Sequence, residues 1–272
     1  MHLWRFGLPR HASPHVSIVI CTYGREESLV ETLESVRNQT PKRFEVILIT
    51  EKGHLAHLRD TGLRMAQGDV VTFIDDDVSC QPTWLESIIN RFKEEGIVGV
   101  TGPTVITEEY RKKRDIFKYR TFKRLYDKLF LDNQSARPSY LSQVGAPSTA
   151  SNDARTRYTG PVSFLEACNM SVRKELAISV GGFSKEYIHT GEWAELDLAL
   201  RLRQHGVLFY DQRCGLYHKP SKSGIYKDRL KTAHRWKNFV TFQSKWVKPS
   251  AKRRLYWAWV RIYLTLKQTG LI

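Results

Sequence analysis

A chain of 272 residues with 41% hydrophobic content can bury a full core, and its four cysteines, at 21, 80, 168 and 214, are too widely spaced for a CxxC or zinc-knuckle pattern and do not suggest a disulfide scaffold, so a reducing compartment is expected. The net charge of +15 is lopsided: residues 219–272 hold fourteen Lys and Arg against one acid, Asp228, so +13 of it belongs to the tail. No run reaches the roughly 20 apolar residues that span a bilayer and no signal-peptide stretch opens the chain, so a cytoplasmic protein, or one peripheral on the cytoplasmic face of a membrane, is expected.

Residues 1–14 show no periodicity and read as an irregular lead-in. Val16 to Thr22 is an apolar run that ends in the turn Tyr23-Gly24-Arg25, a strand followed by a helix whose Leu29, Val30, Leu33 and Val36 recur at helical spacing. Phe44 to Ile49 reads as a second strand, His54 to Gln67 as a second helix, and Val70 to Ile74 as a third strand. A helix from Pro82 to Glu95 and a strand from Ile97 to Thr101 follow. Strands alternating with helices of this length predict an α/β fold with a mostly parallel central sheet and helices on both faces. Residues 1–218 are expected to form one α/β domain and 219–272 a basic, amphipathic helical tail.

In such sheets ligands bind beyond the carboxyl ends of the strands, where Thr22-Tyr23, Thr50-Glu51 and Asp75-Asp76-Asp77 all lie. Three adjacent carboxylates repel one another, and a hard divalent cation such as Mg²⁺ or Mn²⁺ relieves the repulsion. The competing reading is a solvated acidic turn that caps the next helix.

The residues resemble the family 2 glycosyltransferases of GT-A fold, on Val16 to Tyr23 with Arg25, Arg59-Asp60-Thr61-Gly62, Gly68 to Asp77, Asn169-Met170-Ser171, Gly181-Gly182-Phe183, Glu195 to Leu198 with Arg201-Leu202, and His218. The resemblance spans roughly residues 15–220 and implies a nucleoside diphosphate sugar as donor, UDP-sugars favoured, with Mn²⁺ or Mg²⁺ as cofactor. It implies that Thr22 and Tyr23 contact the nucleoside, that Arg25 and Asp76 belong to the donor site, and that Arg59 reaches the diphosphate. Glu51 stands where relatives usually hold the base with Asp. Asp75 and Asp77 correspond to the DxD motif, Asp75 towards the ribose and Asp77 on the metal. Asp60 replaces a more usual Asn, and Cys168 a frequent Gly.

Downstream, Glu195 opens a predicted helix, where a carboxylate is favoured by the macrodipole and the free amides. It reads as a helix cap from position alone; the resemblance aligns it with the family's catalytic base, Ala194 with the acid that usually precedes it, and leaves Asp197 as the next candidate. His218 follows a predicted strand at Val207–Tyr210; a lone His is usually structural, but relatives place one near the metal or diphosphate. Residues 133–160 are a long polar loop, either a lid over the donor or a surface loop.

The reaction implied is inverting transfer of the sugar to a hydroxyl on a glycan or a lipid-linked acceptor. Leu255, Ala258, Trp259, Ile262 and Leu266 share one helical face of the tail, which suits either an anionic membrane surface or packing on the domain. The rival classes are a non-catalytic protein that binds nucleic acid or another polyanion through Trp236, Trp246, Trp257 and Trp259, and a nucleotidyltransferase. No nucleic-acid-binding signature accompanies the first, and the turn at Thr22 to Glu26 lacks the Gly-rich loop of the second, so no nucleic-acid partner is expected.

Overall fold

The computed structural model describes residues 2–6, 15–40, 43–108, 120–220 and 232–269, the first stretch by its backbone alone. The basic run Arg111 to Lys118 and residues 221–231 of the tail lie outside the described residues.

Strands β1 (His2–Phe6), β2 (Val16–Cys21), β3 (Phe44–Ile49), β4 (Val70–Ile74), β6 (Ile97–Thr101), β8 (Gly160–Pro161), β9 (Asn169–Arg173) and β10 (Val207–Tyr210) form one sheet in the order β1-β3-β2-β4-β9-β6-β10-β8. The β2 pairings with β3 and β4 are parallel, as is that of β10 with β6. The alternating β-α pattern of the first hundred residues therefore produced the expected mostly parallel sheet. One reading is corrected, and one strand was not read from the sequence. The lead-in supplies β1, an antiparallel edge strand beside β3. Strand β9, which begins 68 residues after the end of β6, inserts antiparallel between β4 and β6.

Both faces of the sheet are covered because its strands are apolar on both sides, as buried parallel strands are. Ile18, Ile20, Val46, Leu48 and Ile74 pack with Trp84, Leu85 and Ile88 of α3 (Trp84–Phe92) and with Val36 of α1 (Glu26–Arg37). Val19, Ile47, Val71 and Phe73 face α2 (Leu55–Met65), α5 (Lys174–Ser179) and α6 (Ala194–Leu202). Gly62 lets α2 lie against β2, since a Cβ there would collide with Val19.

A second sheet, β5-β11-β7, joins three short strands: β5 (Val78–Cys80), β7 (Thr104–Ile106) and β11 (Leu216–His218). A third apolar cluster lies among α4 (Arg120–Phe130), α7 (Thr232–Trp246) and α8 (Ala251–Gln268), with Phe130, Phe239, Tyr256, Val260 and Leu264 at its centre. Among the described residues no helix is long and apolar enough to cross a membrane.

Residues 133–160 are packed rather than loosely exposed. Ser139 and Ser151 are buried and both donate to Glu166 Oε1, while Gln243 of α7 donates to the Val144 carbonyl.

Candidate active site

Parallel register sets the site. Ile20 pairs with Ile74 and Cys21 with Ile49, so Thr22, Thr50 and Asp75 leave the sheet side by side at one edge. The three carboxylates that follow β4 do not point one way. Asp76 and Asp77 are buried, whereas Asp75 is only partly covered. Arg25, at the start of α1, donates from Nη1 to Asp76 Oδ1 at 2.7 Å and to Asp77 Oδ2 at 3.1 Å. Thr22 also hydrogen-bonds Asp76, whose carboxyl burial holds above the ordinary range against the opposing pull of Thr22 and Arg25. Arg59, buried on α2, reaches Asp75 Oδ1 at 2.9 Å.

His218 arrives from the far end of the chain. Strand β11 pairs with β5 in the register His218 to Val78, and Lys219 N donates to the Asp77 carbonyl at 2.8 Å. The imidazole Nε2 consequently lies 3.0 Å from Asp77 Oδ1. Burial works to lower the ring's pKa, but the hydrogen bonds and charges of Asp77 and Cys168 prevail and push it up to about 10. The position favours positive charge, as a metal site must. One ligand atom each from Asp75, Asp77 and His218 lie within 4.8 Å of one another, and two carboxylate oxygens with one imidazole nitrogen suit Mn²⁺ or Mg²⁺.

Glu195 enters from the first turn of α6. The chain approaches that turn through Gly191 and Trp193, both left-handed, at φ 64° and φ 70°. A non-glycine residue in that region costs on the order of 1 kcal/mol, and the strained bend is held from several sides. Leu55 N donates to the His189 carbonyl, Thr190 Oγ1 to Glu192 Oε2, and Arg235 Nε pairs with Glu192 Oε1. Burial pushes the Glu195 carboxyl up to about 7, with the Arg59 guanidinium only partly opposing it. Arg59 in turn feels Asp75 and Glu195 together, so one buried cation couples the acidic strand exit to the carboxylate on α6.

The remaining residues singled out from sequence fall into two groups. Tyr23 and Glu51 stand exposed at the strand exits. Asp197 is turned to the interior: it is 0% exposed, and Arg201, Trp246 and Lys245 all bond it, with Trp246 Nε1 to Oδ1 at 2.7 Å and Lys245 Nζ at 2.8 Å. A carboxylate so enclosed cannot meet an acceptor.

Two residues that the sequence reading named were given no structural role there. Asp60 accepts from Phe183 N at 3.0 Å and from Arg64 Nε at 2.8 Å, which fixes the Gly181-Gly182-Phe183 turn against α2. Asn169 accepts from Trp84 Nε1 and donates to the Cys214 carbonyl, tying β9 to α3 and to the approach to β11. Their presence in the motifs was the signal; apart from Arg64, one turn on from Asp60, the partners named here lie 45 to 123 residues away.

Comparison with known proteins bears on the first half of the site. The glycosyl transferase family 2 model matches residues 17–51 and 49–142, slightly less than half of the chain. That match includes Thr22, Arg25, Arg59 and Asp75 to Asp77 and stops before Glu195 and His218. The chain is similar to the glucosyl-dolichyl phosphate glucuronosyltransferase of Haloferax volcanii, 28% identical over 130 residues, 38% of this chain and 42% of that one. It is similar to the hyaluronan synthase of Pasteurella multocida, 25% identical over 252 residues, 75% of this chain and 24% of that one. The chain thus spans less than half the length of these two curated relatives. Among solved structures, the mannosyltransferase PcManGT from Pyrobaculum calidifontis, in complex with GDP-Man and Mn²⁺, superposes with a TM-score of 0.54 at 14% identity, over 97% of this chain and 73% of that one. S. aureus TarS gives a TM-score of 0.50 at 14% identity, over 84% and 42% of the two chains. These two likenesses establish the GT-A type of fold.

Proposed function

For a chain that is a family 2 glycosyltransferase, by sequence over residues 17–142 and by its GT-A fold, we propose inverting transfer of a sugar from a nucleoside diphosphate donor to an acceptor hydroxyl. The observation that carries this reading is the meeting of Asp75, Asp77, His218, Arg59 and Glu195, from four separate elements, at the carboxyl edge of one sheet.

Asp75, Asp77 and His218 would hold a divalent ion, which supplies Lewis-acid neutralisation of the diphosphate. Arg59, buried and fixed by Asp75, adds a preorganised positive charge where negative charge grows as the bond between the anomeric carbon and the diphosphate oxygen breaks. Glu195 takes the proton of the acceptor hydroxyl as that oxygen bonds the anomeric carbon from the opposite face, which inverts the centre and releases the nucleoside diphosphate. Its pKa of about 7 suits a base working near neutrality. Tyr23 and Glu51, open at the strand exits, are assigned to the nucleoside, and Asp197 to positioning α6.

Residues 1–218 carry the donor site and the chemistry, and 219–272 the basic tail. The acceptor is a growing glycan or a lipid-linked glycan at the cytoplasmic face of a membrane; a relative that is named for a dolichyl phosphate substrate supports the lipid-linked form. The alternative of a nucleic-acid binder is not favoured, because the tail's indoles are engaged: Trp246 on Asp197, Trp257 on Gln243, Trp236 against Phe239, and Trp259 against Tyr126.

The test is a panel of UDP- and GDP-sugars with Mn²⁺, read first as a rise in melting temperature and then as the anomeric configuration of the product. Stabilisation by one donor class followed by an inverted product supports the proposal. No stabilisation by any nucleotide sugar, or retained configuration, refutes it.

A further inference from the structure

Helix α8 has two apolar stripes, and the fold uses one. Tyr256, Val260 and Leu264 are buried against α4 and α7. Ala251, Leu255, Ala258 and Ile262, at spacings of four, three and four, form the opposite stripe, and all four are exposed, Leu255 by 51% and Ile262 by 57%. The stripe runs roughly 16 Å along the helix at 1.5 Å per residue. Exposed Arg254 and Arg261 border it, and at its start a cleft of about 400 Å³ opens between Pro249, Ser250, Arg253, Arg254 and Trp257.

Charge decides what can cover this stripe. Residues 232–269 contain nine Lys and Arg and no Asp or Glu. Lys245, Lys252 and Arg235 are spent on Asp197, Asp132 and Glu192, while no ion pair to a carboxylate is found for Arg253, Arg254 or Arg261 among the described residues. A second copy of this chain, docked symmetrically through the stripe, would face Arg254 and Arg261 with their own images and offer no carboxylate from the helix. A nucleic acid would satisfy the arginines and leave Leu255 and Ile262 in water. An anionic bilayer satisfies both, with phosphates at the level of the arginines and hydrocarbon beneath the stripe.

We propose that the outward face of α8, Leu255, Ala258 and Ile262 with Arg254 and Arg261, is the surface by which the protein lies on an anionic lipid bilayer. The inference deepens the lipid-linked-acceptor reading and draws its purpose from it. The face that serves was legible in the sequence; that a different stripe of the same helix packs on the body, leaving this one open, required the structure.

The experiment is co-sedimentation of the full chain with phosphatidylglycerol and phosphatidylcholine vesicles, without donor or metal, so that its outcome is independent of sugar transfer. Wild type should partition onto the phosphatidylglycerol set and be released by salt. L255E/I262E should bind about tenfold or more weakly, and R254A or R261A each about fivefold more weakly, the weight of one interfacial cation. Unchanged melting temperature and unchanged donor-induced stabilisation show that these variants are folded. Wild-type binding by folded L255E/I262E, equal binding to both vesicle types, or no vesicle binding by wild type would overturn the proposal. So would light scattering that shows a wild-type dimer dissociated by L255E/I262E.

Discussion

Replacing Glu195 by Gln preserves the side chain's shape and removes its capacity to take a proton. Turnover is expected to fall roughly a hundredfold or more with donor-induced stabilisation intact, the usual scale for a lost general base. Wild-type turnover should rise with pH through about 7, where the carboxyl ionises, and the Gln variant should lose that limb. If Asp197→Asn reproduces this behaviour and Glu195→Gln does not, the base is misassigned. The same pKa makes a statement about stability. Folding favours the protonated form of Glu195, so its contribution is full below the ordinary value of 4.5 and is lost as pH rises through about 7. Glu195→Gln should therefore melt above wild type at pH 8 and with it at pH 4, the difference reaching at most about 3 kcal/mol at 1.36 kcal/mol per unit. Equal melting at both pH values would show a carboxyl unperturbed by its site. At this scale sequence was informative where chemistry is local: Asp75, Asp77 and Glu195 stand at ends of elements that the periodicity locates. It offered Asp197 as the next candidate for the base and was silent on its burial among the i+4 arginine and two residues 48 and 49 positions on, because enclosure of a helix's inner carboxylate leaves no mark in spacing.

Elements with strong periodicity were read almost to the residue, including β3, β4, β6 and β10. Three-residue strands such as β5, β7 and β11 carry too few positions for any period, and β9 inserts antiparallel by a pairing that no local pattern encodes. Yet β11 delivers His218 to Asp77, so the cluster of Asp75, Asp77 and His218 depended on what the sequence could show only by resemblance. The contact of α7 with α6 makes a second prediction. Trp246→Phe keeps the ring packing and removes a donor to a buried carboxylate, and should cost about 1–3 kcal/mol in urea denaturation. A loss below a few tenths of a kcal/mol would mean that Lys245 and Arg201 suffice to satisfy Asp197.

Across the whole molecule, charge and fold divide differently. The tail holds +13 of the +15, yet its helices are part of the body: α7 bonds Asp197 through Lys245 and Trp246 and the Val144 carbonyl through Gln243. A chain that ends at Ser244 would strip Asp197 of two of its partners, and should lose thermal stability and turnover as well as any affinity for lipid. Surface variants of α8 are for this reason the cleaner probe of docking, and a truncated protein with wild-type melting would contradict this picture of α7. The claim on which the rest turns is that the acidic strand exit and His218 hold the donor's diphosphate through a divalent ion. It is tested most directly by sugar-nucleotide turnover in chelated protein before and after Mn²⁺ is returned, in wild type and in Asp77→Ala with its fold verified by circular dichroism. The account predicts that wild type is silent when chelated and restored by Mn²⁺, while Asp77→Ala stays silent throughout. Full turnover by chelated wild type, or by Asp77→Ala, would contradict it.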